Sequence, residues 1–470
     1  MRAAIVLVAA LAPRASAAAG AGEATRVARA PAASVHAHLV SSLPAEGDTL
    51  ATLPREVRLV FSEPIEDSFS EIVLTGWDGR RLPLAPHRDP ADVRALAAAL
   101  PALAPGGWRV TWRIVSADGH PVAGSYAFYV RRVAGPDAAA VDAGHVHGGV
   151  AAADRALAPA PDAPAGGHRA HGSPAGETGE PPVAAAILRA LGLGASMALA
   201  GVLGLLTWVV PGPPGRLDRL AWVLAIVTPL LLAADLLLWL QHASPARGLT
   251  AEGLQAALAT RSGAVGGLRI ALALLALWAL GLARRRAPAA GIGLGAVLLT
   301  ALTGHPAAIQ PALAVPAKAI HLLAVTLWLG GLLVLLLAER TDERFREDAL
   351  RVSGLALGAV LAIAASGVLQ TLLFLPSPMD LVRSTYGLLA LGKVAGLGVL
   401  MAYGAVNRYR ILPALRAGGE PATLRRSVRG ETLVMAAVIV LAAFLAYVPP
   451  PSDSGASAQA TRDPAVEPGR

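Results

Sequence analysis

"GWRVTWRIVSADGHPVAGSYAFYV", Gly107 to Val130, decides how the first part of this chain folds. Trp108, Val110, Trp112 and Ile114 fall on one face of its first half, and Arg109, Thr111 and Arg113 on the other. Such alternation marks a half-buried strand. "SYAFYV", from Ser125, alternates in the same way. Between the two runs lies "SADGHP", a turn by its glycine and proline. It places an acid, Asp118, two residues from an imidazole, His120. Two readings are open. They are ordinary hydrophilic turn residues, or they are two ligands of a metal whose further donors lie elsewhere.

The same pattern extends outward. "VRLVF" puts Val57, Leu59 and Phe61 on one face, and "PAEGD", "WDGR" and "APGG" supply turns between short runs. Residues 36–132 therefore read as a small antiparallel β-sandwich. Residues 133–181 are rich in Ala, Gly, Pro and His without periodicity and read as a flexible linker. His145 and His147 there are either incidental or a weak, transient metal-capture pair; His38 is a similar candidate. Before the sandwich, Arg2 and the apolar run Ala3–Ala12 read as an export signal, too short to span a bilayer. Residues 1–35 are then signal peptide and leader, and 450–470 a disordered tail.

Composition sets the class of the remainder. The chain has 470 residues, of which 54% are hydrophobic and only 15% charged. Between residues 182 and 449 apolar runs recur at about the 20-residue length a membrane helix needs. Eight are expected, near 183–210, 219–241, 264–283, 288–304, 316–338, 350–375, 385–405 and 430–449. Arginines crowd the loops after the first, third, fifth and seventh, and few stand in the others. The positive-inside rule then puts the sandwich and the C-terminal tail on the outer side of a bacterial inner membrane. That also accounts for the net charge of +8, which otherwise suggests nucleic acid. There is no cysteine, so zinc-finger and thiolate copper sites are excluded and any metal takes His, Asp, Glu, Met or backbone ligands. No nucleotide-binding motif is present that could drive a pump.

"HAHLVSSLPAEGDTL", "LVFSEPI" and "GWRVTWRIVSADGHPVAGSYAFYV", in this order and spacing, resemble the CopC family of periplasmic copper-binding proteins. The resemblance implies a Greek-key, cupredoxin-like fold and a Cu(II) site. Its ligands would be the terminal amine and imidazole of His36, with Asp118 and His120. No methionine stands between Met1 and Met197, so the methionine-rich Cu(I) site of some members is not expected. The chemistry agrees, because Cu(II) favours nitrogen and oxygen donors in a tetragonal plane. The cleavage point bears on this: a cut before His36 frees its amine, one after Ala37 exposes His38 instead, and one after Ala17 leaves neither at the terminus. Farther along, "TGHP", "HLLAVTLWLGGL" and "TYGLLALGKVAGLGVLMAYGAVNR" resemble the CopD family, membrane proteins associated with copper resistance or uptake, over about 180–449.

In the membrane part His242, His305 and His321 fall near the outer boundary, and Asp235 precedes His242 by about two turns on nearly the same face. Ionisable groups in a membrane are costly and usually face a cavity or a partner. For these four the alternatives are a metal or proton site and plain packing hydrogen bonds. Lys393 reads equally as a counter-ion, with Asp235 as its partner. The runs "LGLGAS", "GIGLGA" and "GLGV" read as close helix contacts. Three functions stay in play. The first captures copper outside and transports or delivers it across the membrane. The second is a haem-containing or copper-reducing membrane oxidoreductase with paired histidine ligands. The third is a copper-binding module without transport. Copper, lipid and other periplasmic copper proteins are the expected partners.

Overall fold

In the computed structural model, residues 37–117, 119–131, 183–211, 215–243, 249–282, 284–308, 311–337, 339–375 and 377–448 are described. The leader, the linker with His145 and His147, the tail, and the ligand candidates His36 and Asp118 lie outside them.

The first part is a two-sheet sandwich. One sheet holds β1 (Leu39–Leu43), β3 (Glu56–Phe61), β7 (Ala95–Ala99) and β6 (His87–Arg88) in that order. The other holds β2 (Thr49–Leu50), β9 (Pro121–Val130), β8 (Gly106–Ser116), β4 (Ile65–Gly76) and β5 (Arg81–Leu84). All pairs are antiparallel except β2 with β9. The faces are those read from the alternation. Trp108, Val110, Trp112 and Ile114 are buried with Val57, Leu59 and Phe61 in one core. Phe61 and Trp112 meet edge to face at 5.0 Å, a geometry that adds to their burial.

On the rim, Arg58 Nη2 donates to Asp89 Oδ2 at 2.7 Å. That bond holds the Asp89 carboxyl below the usual carboxylate range. A depressed carboxyl contributes stability above its unfolded pKa and loses it as pH falls through the folded value. Asp89→Asn should therefore lower the melting temperature of the sandwich at neutral pH. The gap between variant and parent should close as pH drops below about 4, and a pH series of thermal melts checks this.

The second part is helical: α1 (Val183–Trp208), α2 (Arg216–Ala243), α3 (Ala251–Ala259), α4 (Arg261–Gly281), α5 (Arg286–Leu298), α6 (His305–Ala308), α7 (Pro311–Leu337), α8 (Asp342–Phe374), α9 (Asp380–Arg383), α10 (Thr385–Val406), α11 (Leu412–Arg416) and α12 (Pro421–Leu445). All eight expected segments are helical. Seven are long and apolar enough to cross a membrane; the fourth, Arg286–Leu302 with its 3-10 end, is shorter. The cap signals are local. Thr250, Thr260 and Ser384 each accept a backbone N–H three residues on, at Gly253, Gly263 and Gly387. α1 is the most buried of the long helices and packs on α2, α5, α7 and α12.

A tight helix crossing lies outside the glycine runs singled out in the sequence. It joins Gly201 of α1 to Gly330 of α7, where a Cβ on Gly201 would collide with the Thr326 carbonyl. Among the expected runs, Gly396 does approach Val438 closely, but Gly291 and Gly398 touch nothing. Close contact needs a small residue on both helices at one level, which a run on one helix does not specify.

The two ends of the bundle differ. Arg216 pairs with Glu339, Arg286 with Asp218, and Arg340 donates to the Val210 carbonyl, so the arginine-rich loops cluster at one end. The sandwich sits on the other end. A bulge directs the docking: β4 and β8 are in register at Glu66↔Val115 and again at Glu71↔Arg113, leaving extra residues in β4. Phe69, on that bulge, packs edge to face on Trp239 of α2 at 5.8 Å. Val115, Leu240, Ala243 and Ala257 complete this small core between the two parts.

Candidate metal centre at the junction of the two parts

The turn that raised the question lies at the junction. Ala117 N donates to the Pro64 carbonyl at 2.9 Å, Gly119 N to Ser116 O at 2.8 Å, and Ser116 N to His120 O at 3.0 Å. Gly119 has φ +89°, a left-handed conformation that glycine adopts without strain. Its missing side chain also matters, because a Cβ there would collide with the Ser262 hydroxyl at the start of α4. Its carbonyl accepts Trp239 Nε1 at 2.7 Å. Arg113 donates to the His242 carbonyl at 3.2 Å, and Glu66 Oε1 accepts Arg261 N at 3.3 Å.

Trp239 thus gives both a partly buried ring and a donor to this interface, the profile of an interface hot spot. Trp239→Ala should loosen docking without unfolding either part. Spin labels at exposed positions 123 and 252 should give one narrow distance distribution in the parent and a broad one in the variant.

Docking brings His120 to His305. The rings stack with centroids 5.6 Å apart and planes at 18°. Tyr447 lies edge-on to His120 at 6.0 Å, and Tyr386 edge-on to His305 at 6.4 Å. His305 opens α6 and is only 5% exposed. At a metal–nitrogen distance of about 2 Å, a ring centre lies roughly 3 Å from its metal. Two imidazoles on one ion are then at most about 6 Å apart, and the His120–His305 spacing is within that limit.

The other candidates separate. His321 is ten residues into α7, with Nδ1 on Ser366 Oγ at 3.0 Å. His242 is exposed at the end of α2, with Nδ1 on the Leu238 carbonyl at 2.7 Å. Asp235 faces Arg189 at 3.7 Å, so its ionic partner is Arg189 instead of Lys393. His38, exposed at the start of β1, donates its backbone N–H to Ser62 Oγ at 3.1 Å. Its carbonyl accepts Ser62 N at 3.0 Å. Because Pro64 holds Ala117, the start of the described chain runs beside the Ser62–Pro64 segment that also anchors the chain before His120. Among the described residues no three His, Asp or Glu side chains converge as a ready metal site.

Beneath the junction the bundle is cationic. Arg189 lies over the Tyr447 ring at 4.6 Å. Arg269 donates to the Ala296 carbonyl at 3.2 Å and Lys318 to the Thr303 carbonyl at 2.9 Å. Lys318 feels the like charges of Arg189, Arg269 and Lys393. Arg189, Tyr386 and Tyr447 carry no motif that marks them in the sequence. Arg189 is in the second turn of α1, Tyr386 opens α10 and Tyr447 follows α12, positions where arginine and tyrosine are ordinary boundary residues.

A β-sandwich with a histidine turn seated on a bundle of membrane-length helices defines a two-part membrane protein. A CopC domain matches residues 39–131, and copper resistance protein D matches residues 347–445. The chain is 25% identical over 447 residues to the copper transport protein CutJ of Bacillus subtilis, covering 89% of this chain and 75% of that one. It is 38% identical over 108 residues to copper resistance protein C of Pseudomonas syringae pv. tomato, covering 21% and 83%. With copper resistance protein D of the same organism it shares 32% over 155 residues, covering 30% and 50%. The crystal structure of CopC from Methylosinus trichosporium OB3b covers 20% of this chain and 94% of its own, at 32% identity and a TM-score of 0.20.

The chain belongs to the CopC family through its sandwich and carries a CopD domain in the same polypeptide. The CopD match is shorter than the resemblance seen over 180–449, and His305 and His321 lie before it.

Proposed function

We propose that this protein captures copper in its sandwich and passes it into the helix bundle for transport or delivery across the membrane, in copper homeostasis or resistance. The observation that carries this reading is the stacking of His120 on His305. It joins a residue of the CopC turn to a histidine of the helical part within the span of one ion. Support also comes from the two copper-associated domains in one chain and from the likeness to CutJ.

Cu(II) is held by His36, through its amine and imidazole, with Asp118 and His120. His305 then replaces one donor, so the ion is handed over by ligand exchange, with His321 the next imidazole inward. Exchange suits this interior better than an open pore. Arg189, Arg269, Lys318 and Lys393 would repel a free divalent cation there, and little water screens them. The sandwich lies outside a bacterial inner membrane and the arginine-rich loops inside. No step requires chemical conversion of a substrate, so we assign no enzymatic activity.

Metal analysis with electron paramagnetic resonance of the purified chain tests the capture step. One Cu(II) per chain with nitrogen hyperfine structure is expected, and a chain that retains no copper after gel filtration contradicts it. The amine donor has its own test. A chain extended before His36 carries an amide there, which cannot ligate without losing its proton. It should bind Cu(II) about tenfold or more weakly than one beginning at His36, comparable to the loss of a supporting contact at a metal site. Competition titration reads the difference.

A further inference from the structure

The far half of the bundle holds a second polar site that the copper route does not use. Glu431 of α12 is 3% exposed. Its Oε1 accepts Trp328 Nε1 at 2.8 Å and its Oε2 accepts Asn407 Nδ2 at 2.8 Å. Asn407 is 9% exposed, and its Oδ1 has no hydrogen-bond partner. Both residues line a cavity of about 210 Å³ whose other walls are mostly apolar. Asn407 also begins a turn of π-helix, Asn407–Ile411, between α10 and α11. Such turns are rare and occur often at functional sites.

We propose that Glu431 is a proton-exchange site, with Asn407 as the amide that satisfies both of its protonation states. As a carboxylate, Glu431 accepts the Asn407 N–H and the Trp328 N–H. When Oε2 takes a proton from water entering the cavity, it becomes a donor and needs an acceptor. A turn of the Asn407 amide supplies one, its unpartnered Oδ1. Release reverses the turn and returns the proton to water. Few other charges intrude. Among the described residues lining the cavity, the only other charged one is Arg408, whose guanidinium donates to Ser353 O at 3.4 Å and Oγ at 3.3 Å. The tyrosines that face the region are Tyr409, in the π-turn, and Tyr403 of α10, beside Gly430. From α7 the facing group is Trp328 and from α8 it is Ser353, neither of them charged.

The site is tied mechanically to the outer half. Trp328 follows His321 by seven residues on α7. That is two turns on nearly the same face and about 10 Å along the axis. A shift of α7 when His321 gains or loses a ligand therefore moves the donor on Glu431. Proton exchange at Glu431 is then coupled to copper passage. That coupling rests on the function proposed above; the protonation itself does not.

The test uses the purified full chain and has two parts. Infrared difference spectra across a pH series should show a protonated-carboxyl band that titrates in the parent and is missing in Glu431→Gln. In Trp328→Phe, which removes a donor to the carboxylate alone, the midpoint should move up by about one pH unit or more. A parent band that survives in Glu431→Gln, or a midpoint unmoved in Trp328→Phe, overturns the site. In proteoliposomes carrying a pH-sensitive dye, copper addition should change the internal pH with the parent chain. Copper uptake with no pH change overturns the coupling and leaves transport standing. No copper uptake at all removes the transport reading and with it the coupling, while the infrared result still decides the proton site.

Discussion

Copper accumulation by cells expressing His305→Ala, His321→Ala should fall to the level of cells without the protein. The sandwich of the same variant should still bind one Cu(II) with parental affinity. The two residues lie beyond the sandwich, His305 against the His120 ring and His321 of α7 against Ser366 of α8. Neither supports the sandwich core, which is built from residues such as Val57, Leu59 and Phe61. His305→Ala alone should remove most of the accumulation, because it is the imidazole within one ion's span of the capture turn. Elemental analysis of washed cells, at matched expression, reads both. Accumulation equal to the parent would show that copper enters by another route or not at all. Deleting the sandwich should have a milder effect. It raises the copper concentration needed and leaves passage intact, since capture and passage are separate steps.

The second large effect is on capture. His120→Ala or Asp118→Ala should weaken Cu(II) binding more than about 100-fold, because even outer partners of a metal ligand are worth 10–100-fold. The fold should survive His120→Ala. The turn is pinned by backbone bonds at Ser116, Ala117 and Gly119, and the imidazole makes none of them. Competition titration with a chelator of known affinity gives the constant, and an unchanged melting profile of the metal-free protein separates lost binding from lost fold. His38→Ala should cost much less, since its exposed position favours a loose contact over a fixed ligand. Equal losses for His38→Ala and His120→Ala would mean that the amino-terminal donor is His38 and that the chain is cut nearer to it.

The sandwich was legible because its strands bury one face. Period two in Trp108–Ile114 places alternate side chains in the core, and a one-residue slip would expose all of them. The eight helical segments were legible for a similar reason: a bilayer requires long apolar runs, and few other folds produce them. Their relative arrangement was not legible. Nothing in "LGLGAS" distinguishes it from the Gly201–Gly330 crossing, because closeness belongs to a pair of helices and the sequence presents them singly.

The candidate site was half legible. The Asp118–His120 turn, His305 and His321 stood out by residue type. That His120 would meet His305, while His321 and His242 would not join them, depended on the bulge that aims Phe69 at Trp239. A bulge leaves little trace in a strand pattern. Glu431 was passed over because, in a segment opening with several arginines, one acid reads as a surface counter-charge. Its burial follows only from how α12 packs beside Trp328 and Asn407.

On the proposed route copper crosses from the sandwich side to the arginine-rich side through the bundle. The most direct measurement is uptake of radiolabelled copper by proteoliposomes containing the purified full chain, with the sandwich facing outward. Saturable accumulation in the lumen is expected, absent from empty liposomes and from liposomes containing His305→Ala, His321→Ala. Copper that stays bound outside, at one ion per chain, with no lumenal accumulation, would contradict it.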